Sequence, residues 1–323
     1  MPQFCSKVLS CGHYLPQKCV TNFDLEKRMD TSDEWIIQRT GIKQRYIAEG
    51  ENETTAQMAY KAAQQALEIA DIKPDDVDMI ILATSTPDHA FPASAVKVQA
   101  LLKANNAFAF DMQAACSGFI YALSTADNFI KTGGAKTVVV IGADRMSSLV
   151  DWHDRTTAVL FGDGAGAYVL QAQAYSPHQG ILSTHLFSNG MQYESLYVDD
   201  SNCTNKYGYI KMDGKLIYKN AILKIGQAVT TALNANNLSV NDVDWFVPHQ
   251  ANQRILESIC DHFHIPYEKM IMTIADHANT SAATIPLATY KGIADGKIKA
   301  GDLLVLEALG GGLTWGSAAL RFG

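Results

Sequence analysis

The chain has no C-x-x-C pair, no cysteine and histidine set at zinc-binding spacing, no run rich in Lys and Arg, and no window of 18 uninterrupted apolar residues. The first two absences argue against a zinc protein or a dithiol redox protein. With 26 basic against 33 acidic residues and a formal net charge of −7, a general nucleic-acid binder is disfavoured, because phosphate backbones are held by clustered Lys and Arg. The missing apolar window argues against a membrane-spanning helix. The N-terminus, Met1-Pro2-Gln3-Phe4-Cys5-Ser6-Lys7, lacks the basic and then apolar layout of an export signal. Cys5, Cys11, Cys19, Cys116, Cys203 and Cys260 are therefore expected as reduced thiols of a cytoplasmic protein. A dinucleotide fingerprint is missing too. Gly162-Asp163-Gly164-Ala165-Gly166 runs into strand-like Ala167-Tyr168-Val169-Leu170 rather than a helix, so these glycines are read as sites of close backbone packing. His262 and His264, two apart, are read as surface residues.

What is present is a repeat. Shifting the 323-residue sequence by 166 places lays Ala66-Leu67 on Ala232-Leu233 and Asp76-Val77-Asp78 on Asp242-Val243-Asp244. Each match leads into a continuous apolar run, Met79-Ile80-Ile81-Leu82 or Trp245-Phe246-Val247, as a parallel sheet covered on both faces requires. Lys136 to Ile141 and Asp302 to Leu306 form a second such pair. The expectation is an α/β protein of two similar halves, 1–174 and 175–323, parted by the turn-forming Tyr175 to Gly180. An active site would sit at their seam.

Three small-residue strings carry the chemistry: Ala114-Ala115-Cys116-Ser117-Gly118-Phe119, Pro248-His249-Gln250-Ala251-Asn252, and His277-Ala278-Asn279-Thr280-Ser281-Ala282. Cys116 stands where a strand-like run gives way to a helical pattern. Its sulfur is thus expected at a helix N-terminus, where free N–H groups favour a thiolate. Each residue alone has a plainer reading: a core cysteine, a histidine closing a strand, an asparagine in a turn or cap. Together they combine a nucleophile with two polar groups that can serve a carbonyl.

With these strings stand Asp30 to Ile36, Arg39-Thr40-Gly41-Ile42, His89-Ala90-Phe91-Pro92, Phe161 to Ala167, and Gly310-Gly311-Gly312-Leu313-Thr314-Trp315-Gly316-Ser317. In this order the chain resembles the β-ketoacyl-acyl-carrier-protein synthase III family nearly end to end. The resemblance implies a thiolase-like duplicated five-layered αβαβα fold, a homodimer, and a catalytic Cys116, His249 and Asn279. It also implies an oxyanion hole from the N–H groups of Cys116 and Gly311, and no cofactor beyond the coenzyme A thioester used as substrate. Thr31, Trp35, Arg39 and Arg155 are assigned to the adenine and phosphate end of acyl-CoA, with a capping box over Thr31 to Glu34 expected to start a helix. Gly214, Ala251 and Asn252 are assigned to the pantetheine arm, and Phe91 to the partner's acyl pocket beside Leu309, where many members carry Phe. Arg254, supported by Lys219, is expected to dock the acyl-carrier protein, although Glu257 and Asp261 share its helix face. The rival readings are a related CoA-thioester condensing enzyme of secondary metabolism and a cysteine thioester hydrolase.

Overall fold

The computed structural model describes residues 3–199 and 208–323; Cys203 lies outside the described residues. A five-stranded sheet takes the order Phe4–Tyr14, Asp163–Ala174, Thr137–Arg145, Met79–Ala83, Phe108–Met112. A four-stranded sheet takes the order Ile181–Ser188, Thr314–Arg321, Leu303–Gly310, Trp245–Pro248. The two follow one plan. In each, a parallel central pair is joined on one side by two antiparallel strands, the outermost being the first strand of its half. The place of Phe108–Met112 is reduced in the second half to a bridge between Phe246 and Met270.

The 166-residue offset holds for the inner elements, whereas the antiparallel strands, which start at Phe4 and Ile181 and at Asp163 and Thr314, depart from it. Strands start at Met79 and Trp245 and at Thr137 and Leu303, and helices start at Gly118 and Thr284. Side-chain alternation explains the layering. Met79, Ile81 and Ala83 face a central layer that holds Phe119, Ile120 and Leu123 of the helix Gly118–Lys131 and Ile285 and Ala288 of the helix Thr284–Ala294. Ile80 and Leu82 face outward onto the alanine-rich side of the helix Thr55–Ala70. In the second sheet Leu304 and Leu306 face the central layer, while Leu303 and Val305 pack under the helices Gly214–Ala235 and Gln253–Phe263. Helices therefore cover both faces of both sheets, giving five layers in the order α, β, α, β, α. This double cover is the reason that the central strands read as unbroken apolar runs.

Candidate active site

Cys116 sits in the short turn Ala115–Ser117, between the strand Phe108–Met112 and the helix Gly118–Lys131, at the helix N-terminus that its sequence position suggested. Ala115 takes a left-handed φ of 46°, and at the equivalent place in the second half Ser281 takes φ of 53°. Each starts a short turn, Ala115–Ser117 and Ser281–Ala283, that leads into a central helix. Non-glycine residues are uncommon in this region, and the strain collects at functional sites. Gly310 closes the first turn from the other half: a Cβ there would stand 2.8 Å from the Cys116 backbone nitrogen.

Asn279 is held by its backbone to the Leu160–Gly162 segment, donating to the Leu160 carbonyl at 3.0 Å and accepting from Gly162 at 3.0 Å. Its Oδ1 accepts the Ser281 N–H at 2.8 Å. Since that N–H only donates, it fixes the amide orientation and leaves the Nδ2 protons as the free donors. Asn279 thus makes the expected turn and also lines the cavity. His249 follows the strand Trp245–Pro248, its backbone N–H donating to the Glu307 carbonyl at 2.8 Å. Its Nδ1 meets the Thr284 hydroxyl at 2.7 Å.

Cys116, His249 and Asn279 line one cavity of about 340 Å³. The same cavity is lined by Trp35, Arg39, Gly214, Ala251, Asn252 and Leu309, and Arg254 reaches it too. Both the Arg39 and Arg155 guanidinium groups lie over the Trp35 ring, at 4.8 and 5.1 Å from its centre. Thr31, Arg155, Gly311, Lys219 and Phe91 lie outside this lining. Arg155 donates to the Asp30 carbonyl at 2.7 Å, Gly311 lies in the turn that joins Leu303–Gly310 to Thr314–Arg321, and Lys219 is exposed on the helix Gly214–Ala235. Phe91, 85% exposed, projects from the loop before the helix Ser94–Leu102.

Two expectations need correction. The cap of the helix Asp33–Thr40 is Ser32 rather than Thr31: Ser32 has the extended backbone a cap needs, and its hydroxyl accepts the Trp35 N–H at 3.1 Å. The Thr31 hydroxyl is buried without a partner. The second correction concerns the thiol. Burial pushes Cys116 up from its ordinary 9.0 to about 12; the Ser281 hydroxyl lowers it, and the buried Asp144 carboxylate raises it further. At about 1.36 kcal/mol per pH unit this disfavours the thiolate by about 4 kcal/mol, whereas a helix N-terminus returns at most about 2. Burial likewise pushes His249 down to about 3, so the resting pair is thiol and neutral imidazole.

Sequence reasoning gave no role to Ser281, Asp144 or Thr284. The Asp144 carboxylate accepts from Ser85 N–H at 2.7 Å and from Ala282 N–H at 3.2 Å, tying the first-half sheet to the second turn. The signal that points to Ser281 and Thr284 is the repeat itself, which maps them onto Ala115 and Gly118 of the Cys116 turn. For the free protein, alkylation of Cys116 by iodoacetamide, followed by peptide mass spectrometry, is expected to keep rising from pH 7 to pH 10 without a plateau. A plateau near pH 7 would show a preformed thiolate.

Known proteins match this arrangement along its whole length. The family model described as 3-oxoacyl-[acyl-carrier-protein (ACP)] synthase III matches residues 110–190, and the one for the C-terminal part of the same enzyme matches residues 233–322. The beta-ketoacyl-[acyl-carrier-protein] synthase III of Paramagnetospirillum magneticum is 52% identical over 320 residues, covering 98% of both chains. That of Bradyrhizobium diazoefficiens is 50% identical over 327 residues and covers 100% of both. Among solved structures, the 3-oxoacyl-[acyl-carrier-protein] synthase III of Aquifex aeolicus superposes with a TM-score of 0.93 at 48% identity, covering 98% of this chain and 100% of that one. The priming beta-ketosynthase of the R1128 polyketide pathway superposes with a TM-score of 0.94 at 33% identity, covering 100% and 98%. With a five-layered duplicated fold, a buried cysteine at its seam and relatives of this identity over their full length, the chain belongs to the β-ketoacyl-acyl-carrier-protein synthase III family.

Proposed function

We propose that the protein condenses an acyl-CoA, in the first instance acetyl-CoA, with malonyl-acyl-carrier protein, releasing CO2 and giving the 3-ketoacyl-carrier protein that starts a fatty-acid chain. The observation that carries this reading is the shared cavity. Its lining includes Cys116, His249 and Asn279 together with the Trp35 indole, over which the Arg39 and, from outside the lining, the Arg155 guanidinium groups lie, an arrangement suited to an adenine nucleotide. Cys116 sulfur attacks the thioester carbonyl, and the N–H groups of Cys116 and Gly311 hold the oxyanion. CoA leaves, and the acyl group stays on sulfur. Malonyl thioester then loses CO2. Its enolate oxygen is held by Asn279 Nδ2–H and by His249, and its carbon attacks the acyl group. The fixed Asn279 amide suits an enolate oxygen, to which it can donate, and full-length relatives that are about 50% identical and named as synthases favour condensation over hydrolysis. The chemistry needs no cofactor other than the CoA thioester substrate.

The Thr31, Trp35, Arg39 and Arg155 cluster would take the nucleotide end, and the Gly214, Ala251 and Asn252 wall the pantetheine arm. Asn252 also caps the helix Gln253–Phe263 and donates to the Arg39 carbonyl at 3.0 Å, so it joins the two parts of this channel. A homodimer is supported by the edge of Phe108–Met112, which among the described residues pairs with Met79–Ala83 alone, and Phe91, 85% exposed, would be covered in it. Phe91 would then reach the partner's acyl pocket. A cytoplasmic setting fits the reduced cysteines, and among the described residues no helix is long and apolar enough to cross a membrane. We take residues 1–174 and 175–323 as the two halves.

A second reading, a condensing enzyme that takes malonyl from CoA for another product, is favoured by one observation: Glu257 and Asp261 lie on the helix of Arg254, where an acidic carrier would dock. Asn279→Ala is expected to slow CO2 release from malonyl-carrier protein by about 10²–10³, the usual cost of one oxyanion donor; normal release would contradict the enolate assignment. Arg254→Glu is expected to raise KM for malonyl-carrier protein severalfold, with the effect shrinking as salt rises. If that variant is unaffected and malonyl-CoA serves equally well, the second reading holds.

A further inference from the structure

The Thr284 hydroxyl has two neighbours. It lies 2.7 Å from His249 Nδ1 and 2.9 Å from the Ser281 carbonyl, and all three residues are buried. Thr284 opens the helix Thr284–Ala294, and its backbone N–H also reaches the Ser281 carbonyl. Two protons serve this group, one on the hydroxyl and one on the neutral imidazole. If the hydroxyl donates to the Ser281 carbonyl, its oxygen accepts from Nδ1–H, and both bonds form. If the hydroxyl turns onto Nδ1, that bond alone forms, and the imidazole proton sits on Nε2, which has no protein partner among the described residues. The first arrangement makes one bond more in a site where unmade bonds are costly.

We propose that Thr284 is a positioning residue that fixes His249 as the Nδ1–H tautomer and turns the Nε2 lone pair into the cavity lined by Cys116 and Asn279. This rests on the condensing reading of Cys116. It resolves a conflict in that reading, where His249 must both help to ionise a buried thiol and donate to an enolate. In the first half-reaction the Cys116 S–H proton passes to Nε2 as sulfur attacks the thioester, and Nε2 gives it to the CoA sulfur as that bond breaks, so CoA leaves as the thiol and the imidazole returns to the neutral form that burial favours. In the second, the malonyl carboxylate leaves as CO2 and its negative charge moves to the enolate oxygen. Nε2 takes up the one proton that the overall reaction draws from solvent, and Nε2–H holds that oxygen. When the new C–C bond forms and the acyl–sulfur bond breaks, this proton passes to the Cys116 sulfur.

The test has a spectroscopic and a kinetic arm. Nitrogen-15 histidine spectra of the full-length protein, with His249 assigned by its loss in His249→Gln, are expected to show the proton on Nδ1; a proton on Nε2 overturns the proposal. Thr284→Val, close in shape but without the hydroxyl, is expected to slow acetylation of Cys116 by acetyl-CoA about tenfold or more and to give a mixed tautomer signal, with Thr284→Ser restoring both. Equal rates for Thr284→Val and wild type overturn the positioning role. So does a Thr284→Ser variant as slow as Thr284→Val, which would mark a structural effect. If Thr284→Val does not fold, the wild-type spectrum decides. If the wild-type protein takes no acetyl group at all, the condensing reading falls, while the tautomer is still read from the spectrum.

Discussion

The site depends on one packing constraint, the close approach of backbone to backbone where the two halves meet. Gly310 of the second half lies against the Cys116 turn, and Gly142 of the first lies against the Ser281–Ala283 turn, where an added Cβ would stand 2.3 Å from the Ala282 carbonyl oxygen. Any side chain at either glycine would push a turn out of the seam. With both in place, the turns begun by the left-handed Ala115 and Ser281 each pack against a strand of the other half. Cys116 from one copy of the fold then lines one cavity with His249 and Asn279 from the other.

That closeness sets the chemistry as well. A site dry enough to protect a thioester and an enolate from water is also one in which a thiolate and an imidazolium are costly. Both effects are visible, with Cys116 pushed up to about 12 and His249 down to about 3. In the proposed reaction, reactivity is therefore created as charge develops next to backbone N–H groups, the Asn279 amide and the imidazole.

Much of this was legible in the sequence. The unbroken apolar runs Met79-Ile80-Ile81-Leu82 and Trp245-Phe246-Val247 announced sheets covered on both faces, and the 166-residue offset announced the duplicated fold. The change from strand to helical pattern placed Cys116 at a helix start. What escaped the sequence depended on contacts between distant residues. Thr31 and Ser32 both have cap chemistry, and the choice between them turned on backbone angles. The helix start favoured a thiolate locally, but burial by both halves outweighed it. Asp144 lies 138 residues from the Ala282 N–H that it accepts, and Thr284 reads in sequence as an ordinary first residue of a helix.

The central claim is that Cys116 carries the acyl group between the two halves of the reaction. Intact-protein mass spectrometry after mixing with acetyl-CoA, followed by peptide mapping, tests it most directly. The account predicts the gain of one acetyl group, located on Cys116, and its disappearance when malonyl-carrier protein is added. An unchanged mass, or an acetyl group that persists in Cys116→Ala, would contradict it.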